Sequence, residues 1–427
     1  MERRIVITGA GCITPLGATP SALWNALMEG RSGVGPLTLF DANGFPVRIA
    51  AEVRNWDVSE VCEHADELRR HARQTHFAIG SALTAARSAG LPDLMIDRNR
   101  LGVYTGCGEI YPNFEQFCRW TAAGTSEQSF EISDFLQTAQ MSCPPDEQTI
   151  LEPGSAVGLI AGLLDAFGPN INYTAACVSS SKAICDAADT IRYGDADVML
   201  AGGAHSMIHP FGLTGFHRLS TLSTFQGPPT EAARPFDRER DGFVVGEGGT
   251  MLVLEELQHA LRRGAEIWGE LRGWATTHDA YRITDLEPEG RAAARCVGLA
   301  LHQAELNPED IDYINAHGSG TVVNDKTETL ALKRSLGNWA YHVPISSTKS
   351  MTGHLTTACG AIEALICVMV LRHGVAPPTI NYSTPDPACD LDYVPNAARS
   401  ILCKHVMNNS FGFGGQNVVL IFSRFER

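Results

Sequence analysis

An α/β protein made of two similar halves is the fold class this sequence predicts, and three observations predict it. Strand-like and helix-like signals alternate along the chain, apolar helices recur at matching places, and each half closes on a glycine-rich turn that feeds an apolar strand.

The first element is Arg4-Ile5-Val6-Ile7-Thr8-Gly9, an apolar run ending in a glycine turn. Its counterpart is Ile267-Trp268-Gly269-Glu270-Leu271-Arg272-Gly273, where a second half begins. Residues 181–194 and 361–374 read as alanine-rich helices that end as Arg192-Tyr193-Gly194 and Arg372-His373-Gly374, and glycine just past the last turn is the usual helix terminator. Val244-Val245-Gly246-Glu247-Gly248-Gly249 then leads into Met251-Leu252-Val253-Leu254, as Gly412-Phe413-Gly414-Gly415 leads into Val418-Val419-Leu420-Ile421. The division falls near residue 260, giving halves of 1–260 and 261–427. Helices that are apolar nearly all round must be buried, so the simplest architecture sandwiches them between the sheets of the two halves.

Composition narrows the function. With 427 residues, 44% of them apolar, the chain can bury a large core as one domain or two fused ones. Its opening residues lack the apolar stretch and cleavage site of a secretory signal. The longest nearly uncharged run, residues 364–371, is far shorter than the roughly 20 residues a bilayer needs. The reading is a cytoplasmic protein with no membrane partner. A net charge of −15 argues against nucleic acid, whose phosphates require a basic surface. The twelve cysteines contain no CxxC pair and no metal-ligand spacing with histidine, so reduced thiols and no metal site are expected. One basic cluster lies at Glu67-Leu68-Arg69-Arg70-His71-Ala72-Arg73, where the spacing of Arg69, Arg70 and Arg73 suits one helical face. It is either a docking patch for an acidic guest or an exposed basic turn that binds nothing.

The strongest chemical signal is Ile171-Asn172-Tyr173-Thr174-Ala175-Ala176-Cys177-Val178-Ser179-Ser180-Ser181, a strand-like run that breaks at Cys177 and continues as a helix. A thiol at a helix start meets unpaired N–H groups and the positive dipole end, which are expected to lower its pKa; a buried structural cysteine fits the same pattern. His317 in Ala316-His317-Gly318-Ser319-Gly320-Thr321 and His354 in Met351-Thr352-Gly353-His354-Leu355 sit among glycine and small residues, as site residues do. Asn408-Asn409-Ser410-Phe411-Gly412-Phe413-Gly414-Gly415 is too irregular for a helix; it suits a loop that turns N–H groups toward an oxyanion, or a bulge that binds nothing.

The segments around Cys177, His317, Lys349, His354 and Phe413 resemble those of stand-alone, type II β-ketoacyl-acyl carrier protein synthases. So do Arg234-Pro235-Phe236-Asp237, Asn324-Asp325-Lys326, Ser346-Ser347-Thr348-Lys349-Ser350-Met351-Thr352-Gly353-His354 and Pro377-Pro378-Thr379-Ile380-Asn381, in the family's order over nearly the whole chain. The resemblance implies a thiolase-like fold of two α/β halves in five layers. It implies a homodimer, or a heterodimer with a related synthase subunit, and an acyl carrier protein as partner. No cofactor is implied beyond the phosphopantetheine arm on that carrier. The reaction is a decarboxylative Claisen condensation: Cys177 takes an acyl group from one carrier, and the enolate formed from malonyl-carrier attacks it. By family position, the N–H groups of Cys177 and Phe413 form the oxyanion hole, and His317 and His354 bind the malonyl thioester oxygen. Lys349 joins Glu328 and Glu363 in a buried charge network with Asp325 nearby. Ser319 and Thr321 hold the pantetheine arm, Phe216 and Phe411 contact substrate, and Arg69, Arg70 and Arg73 receive the carrier.

Departures from the family pattern bear on substrate. Glu109, in Gly106-Cys107-Gly108-Glu109-Ile110-Tyr111-Pro112, stands at the expected acyl gate where an apolar side chain is usual. It faces a polar acyl chain, turns outward, or stands in a shifted local register, because an unpaired carboxylate in an apolar tunnel is costly. Three serines follow the nucleophile's neighbour Val178, and Leu355-Thr356-Thr357-Ala358-Cys359-Gly360 is unusually polar. These changes point to a specialised pathway making unusual acyl chains. Three relatives of the reaction fit less well. A degradative thiolase needs a second cysteine in the loop from Asn409 to Asn417, which has none. A non-catalytic chain-length-determining partner, or a loading decarboxylase, would lack Cys177, although this chain could still act mainly as such a partner if the altered pocket prevents acylation.

Overall fold

The structure is a computed structural model describing residues 3–92, 96–127, 129–143 and 148–426. Ten strands build its main sheet: β1 Ile5–Ile13, β2 Leu101–Cys107, β3 Asn170–Tyr173, β4 Val198–Ser206, β5 Glu247–Glu256, β6 Gly269–His278, β7 Tyr313–Asn315, β8 Ile345–Ser346, β9 His405–Gly412 and β10 Gln416–Ser423. Their spatial order is β8-β7-β9-β10-β6-β1-β5-β4-β2-β3. Numbered within its own half, each set of strands therefore runs 3-2-4-5-1. The pairing sense also repeats: β1 and β4 are antiparallel to β5, with β4, β2 and β3 mutually parallel, and β6 and β9 are antiparallel to β10, with β9, β7 and β8 mutually parallel. The duplication legible in the chain is a duplication of topology. The two sheets are nevertheless not separate. The first strands of the halves pair over Ile5↔Leu271, Val6↔Glu270 and Ile7↔Gly269 and join them along one edge.

Alternation along the strands explains the layers. Val198 and Leu200 of β4, with Met251 and Val253 of β5, face a core shared with helices α1 Arg73–Ser88 and α2 Ser155–Leu163. Met199, Ala201, Leu252 and Leu254, one residue out of phase, face a central core containing α3 Ser179–Tyr193 and α6 Cys359–His373. Val418 and Leu420 of β10 close that core from the other side, while Val419 and Ile421 face α4 Arg291–Ala304 and α5 Val322–Leu336. The result is five layers, α-β-α-β-α, the thiolase-like arrangement the resemblance implies. Both central helices end on a left-handed glycine, Gly194 at φ 88° and Gly374 at φ 64°. The stretch Thr356–His373 is long and apolar enough to cross a bilayer, but it is 89% buried as the core helix of this sandwich.

Candidate active site

Cys177 stands where β3 gives way to α3. Ala176 before it is left-handed at φ 49°, and Ser179 Oγ accepts from Ala175 N at 2.8 Å and donates to Ala176 O at 2.7 Å, so the chain turns sharply. The next two serines tie the halves together: Ser180 Oγ accepts from Ala361 N at 3.0 Å, and Ser181 Oγ bonds Ser410 Oγ at 2.7 Å. All three serines are buried, which accounts for the polar run after the nucleophile. Gly360 permits the approach, because a Cβ there would lie 1.7 Å from Ser181 Oγ.

His317 follows β7 in a loop held by Glu328 of α5, whose carboxylate accepts from His317 N at 2.9 Å and Gly318 N at 2.8 Å. Asp325 holds the next turn, accepting from Gly320 N at 3.1 Å and Phe236 N at 2.7 Å, with Arg240 Nε 3.5 Å away. His354 follows the left-handed Gly353 and is pinned by backbone: its N–H donates to Val244 O at 2.8 Å and its carbonyl accepts from Gly246 N at 3.0 Å. The thiol and one nitrogen of each imidazole thus come within 4.8 Å of one another, all three residues buried. Cys177 comes from one half and both histidines from the other. A thiol and two imidazoles are also a donor set that zinc accepts.

Protonation states follow from the partners. Burial, with the Lys349 charge, holds both histidines well below the usual imidazole range, so both are neutral. His354 Nδ1 accepts from Thr356 N at 2.9 Å, and His317 Nδ1 lies 3.4 Å from Lys349 Nζ, a donor only. Each Nδ1 is therefore an acceptor and each Nε2 carries the proton, which gives two neutral N–H donors. Lys349 Nζ also donates to His317 O at 2.6 Å and forms a close pair with Glu363. The expected network is thus buried but divided: Glu363 pairs with Lys349, whereas Glu328 holds the His317 backbone and meets the lysine only through its charge.

The expectation of a lowered thiol pKa is not met. Burial pushes the Cys177 thiol up to about 11, against the Phe413 N–H, the Lys349 charge and the cysteine's own N–H. Full desolvation of a thiolate outweighs the partial charge of a helix end. The Phe413 N–H does point at the sulfur, from a hairpin turn in which Gly414 and Gly415 take φ 82° and 75° between β9 and β10. A Cβ on Gly412 would come 3.3 Å from Cys177 N, a tight contact, so glycine lets this turn lie against the nucleophile without pushing it aside.

Two cavities meet at the thiol. The outer one, about 230 Å³, is lined by Ser319, Thr321 and Phe411. The inner one, about 200 Å³, is lined by Glu109, His205, Met207, Phe216, Thr356 and Thr357. Cys177, Phe243, His354 and Phe413 border both. Glu109 is exposed at the inner rim, so its carboxylate is not a buried unpaired charge. Phe243 and His205 escaped the sequence reading, whereas Thr357 belongs to the polar run it singled out; the local sign of His205 was its place directly after Gly202-Gly203-Ala204 at a strand end.

The three arginines do not share a helix. The short helix Ala65–Leu68 stops before Arg69, extended Ala72 breaks the chain, and Arg73 opens α1. Arg73 is committed to buried Glu247 and to Val53 O at 3.1 Å, and Arg69 pairs with Asp66 at 2.7 Å on the surface.

Comparison with known proteins agrees with this geometry. Residues 2–260 match the family model for the beta-ketoacyl synthase N-terminal domain, and residues 268–383 match that for the C-terminal domain. The chain is 42% identical over 425 residues to a 3-oxoacyl-[acyl-carrier-protein] synthase 2 of Synechocystis sp., covering 100% of this chain and 99% of the relative. It is 41% identical over 427 residues to the protein of that name in Coxiella burnetii, covering 99% of each. Among solved structures it is similar to the ishigamide ketosynthase/chain length factor, at TM-score 0.89 and 32% identity over 100% of both chains. It is also similar to the AntDE:AntF complex, a type II PKS acyl-carrier protein with its ketosynthase bound to the hexaketide, at TM-score 0.87 and 33% identity over 100% of both chains. The chain belongs to the β-ketoacyl synthase family.

Proposed function

We propose that this protein is a 3-oxoacyl-[acyl-carrier-protein] synthase, and the observation that carries the reading is the meeting of a thiol, two neutral N–H donors and a backbone N–H where two cavities join. Cys177 attacks an acyl-carrier thioester, its proton passes to the departing carrier sulfur, which leaves as the thiol, and the acyl group is held on the cysteine with its chain in the inner cavity. The N–H groups of Phe413 and Cys177 stabilise the oxyanion of each tetrahedral intermediate. Malonyl-carrier then enters the outer cavity, where Ser319 and Thr321 hold the pantetheine arm. Its C–C bond to the carboxylate breaks, carbon dioxide leaves, and the electron pair forms an enolate whose oxygen accepts from Nε2–H of His317 and His354. The enolate carbon attacks the acyl carbonyl, the C–S bond breaks, and Cys177 is released as the β-ketoacyl-carrier departs. No cofactor is needed beyond the carrier's own arm.

An acyl carrier protein is the partner, and the arginines of the cluster at the surface to meet it are Arg69, beside Asp66, and Arg70. The uncovered edge strand β3, with exposed Ile171 within it and exposed Phe167 just before it, suits pairing with a second copy or a related subunit. The cytoplasm is the compartment where such carriers are met. Glu109, His205, Thr356 and Thr357 around a short inner cavity favour an unusual acyl chain from a specialised pathway over a plain saturated one. Intact-mass and peptide spectrometry after incubation with a panel of acyl-carrier thioesters tests the whole reading, with Cys177→Ala as control. An acyl adduct on Cys177 is expected. Its absence with every donor would favour the non-catalytic chain-length-determining partner, and preference for ordinary saturated chains would sink the specialised pathway.

A further inference from the structure

His205 is a buried histidine at the end of β4, in the wall of the inner cavity, and the reaction just described gives it no task. Its surroundings are built around it. A Cβ on Gly108 would lie 2.5 Å from the imidazole, so that glycine opens the slot the ring fills. Its Nε2 lies 3.4 Å from Glu109 O, which can only accept, and its Nδ1 is in close contact with Thr356 Oγ1. In a neutral ring the proton is then on Nε2 and the Thr356 hydroxyl donates to Nδ1. Burial holds His205 down to about 4, which keeps the ring neutral near pH 7.

Thr356 is the other half of the device. It takes φ 49°, a left-handed conformation that is rare for a β-branched residue and persists only where the surroundings hold it. Two bonds hold it, one at each end. The hydroxyl goes to His205, and the amide donates to His354 Nδ1 at 2.9 Å. That amide bond is what keeps the His354 proton on Nε2, the nitrogen left to meet substrate oxygen.

We propose that His205 is a positioning residue for His354, acting through Thr356: it clamps the threonine hydroxyl so that the strained amide stays on Nδ1 of the decarboxylating histidine. The inference rests on the proposed condensing activity and adds to it a residue from the other half of the chain. Without the clamp Thr356 relaxes toward an ordinary φ, its amide leaves Nδ1, and the imidazole keeps there only the weak contact of the Cys359 thiol at 3.5 Å. The loss then falls more heavily on decarboxylation, which needs the His354 donor, than on acylation of Cys177, which uses the Phe413 and Cys177 amides and meets these residues only in the acyl cavity wall.

The test is a split between two rates, carbon dioxide release from malonyl-carrier and acyl transfer to Cys177 followed by intact mass. Thr356→Val keeps size and amide but removes the hydroxyl, His205→Leu removes the acceptor, and His205→Asn restores an acceptor near the position of Nδ1. Decarboxylation is expected to fall about ten- to a hundredfold in Thr356→Val and His205→Leu, the scale of a misplaced catalytic group, and about tenfold further than acylation, which these residues touch only through the wall of the acyl cavity. His205→Asn should recover most of the loss. Equal falls in both rates, no fall in either, or no advantage of His205→Asn over His205→Leu would overturn the proposal. A parent protein that neither acylates nor decarboxylates would instead overturn the proposed function, so the two failures are distinguishable.

Discussion

Lys349→Met removes a full positive charge from the core while keeping much of the side chain's length. Three contacts go with it: the close pair with Glu363, the bond to His317 O at 2.6 Å and the 3.4 Å approach to His317 Nδ1. Breaking a buried ion pair by removing one partner costs about 3–5 kcal/mol, because the other charge is left uncompensated. Glu363 softens that cost. Burial already pushes its carboxyl up to about 7 with the lysine in place, so without the lysine it takes up a proton near neutral pH. The stability loss should therefore lie at the low end, about 3 kcal/mol. A carboxyl with a raised folded pKa contributes stability at low pH and loses it as pH rises through that pKa, so the variant's deficit should widen from pH 5.5 to 8. Adding Glu363→Gln should recover most of the stability, as read by urea denaturation. Activity should behave differently. With Nζ gone, nothing holds His317 Nδ1 as an acceptor, and one of the two enolate donors is lost. The corresponding fall in decarboxylation is about a hundred- to a thousandfold. If the double variant regained decarboxylation together with stability, the lysine would be shown merely to neutralise Glu363, and its role in setting the His317 tautomer would be refuted.

Three other outcomes are expected. Because burial pushes the Cys177 thiol up to about 11, alkylation by iodoacetamide should rise about tenfold per pH unit from 7 to 10; a plateau already reached at pH 7 would contradict that assignment. Phe413→Pro removes the N–H aimed at the sulfur and should slow acylation about a hundred- to a thousandfold, whereas Phe413→Ala keeps the N–H and should chiefly change which acyl chains are accepted, both measured by adduct formation on the thioester panel. Zinc should inhibit only weakly although Cys177, His317 and His354 converge, because each Nδ1 is engaged by a donor and each Nε2 carries the proton; tight, chelator-reversible inhibition would overturn that tautomer assignment.

Much of this was written in the chain because it rests on local rules. Periodicity and glycine stops marked α3 and α6, and the repeated glycine-turn-then-strand endings marked β5 and β10 as equivalent. Cys177, His317, His354 and the Phe413 turn were visible as breaks in regular structure. What stayed hidden depends on distance in space. The pairing of β1 with β6 cannot be inferred from either strand alone. The thiol's raised pKa depends on how thoroughly residues far along the chain enclose it, whereas the helix start that suggested the opposite is local. The arginine cluster misled for the reverse reason: spacing assumed a continuous helix, and extended Ala72 interrupts it. His205 was invisible because its partners, Glu109 O and Thr356 Oγ1, lie 96 and 151 residues away.

The repeated strand order carries a consequence for how such a molecule can change. Two identical halves meeting about a twofold axis are obliged to place the same residue at both equivalent helix starts, so any improvement for capturing a chain is imposed equally on the part that must generate a carbanion. Joining the halves in one polypeptide lifts that obligation. The start of α3 has become the point of covalent capture at Cys177, while the segment leading into α6 carries His354 and its threonine. Neither half expressed alone contains a complete reaction centre, and mixing the two separately made halves should restore turnover only to the extent that β1 finds β6 again.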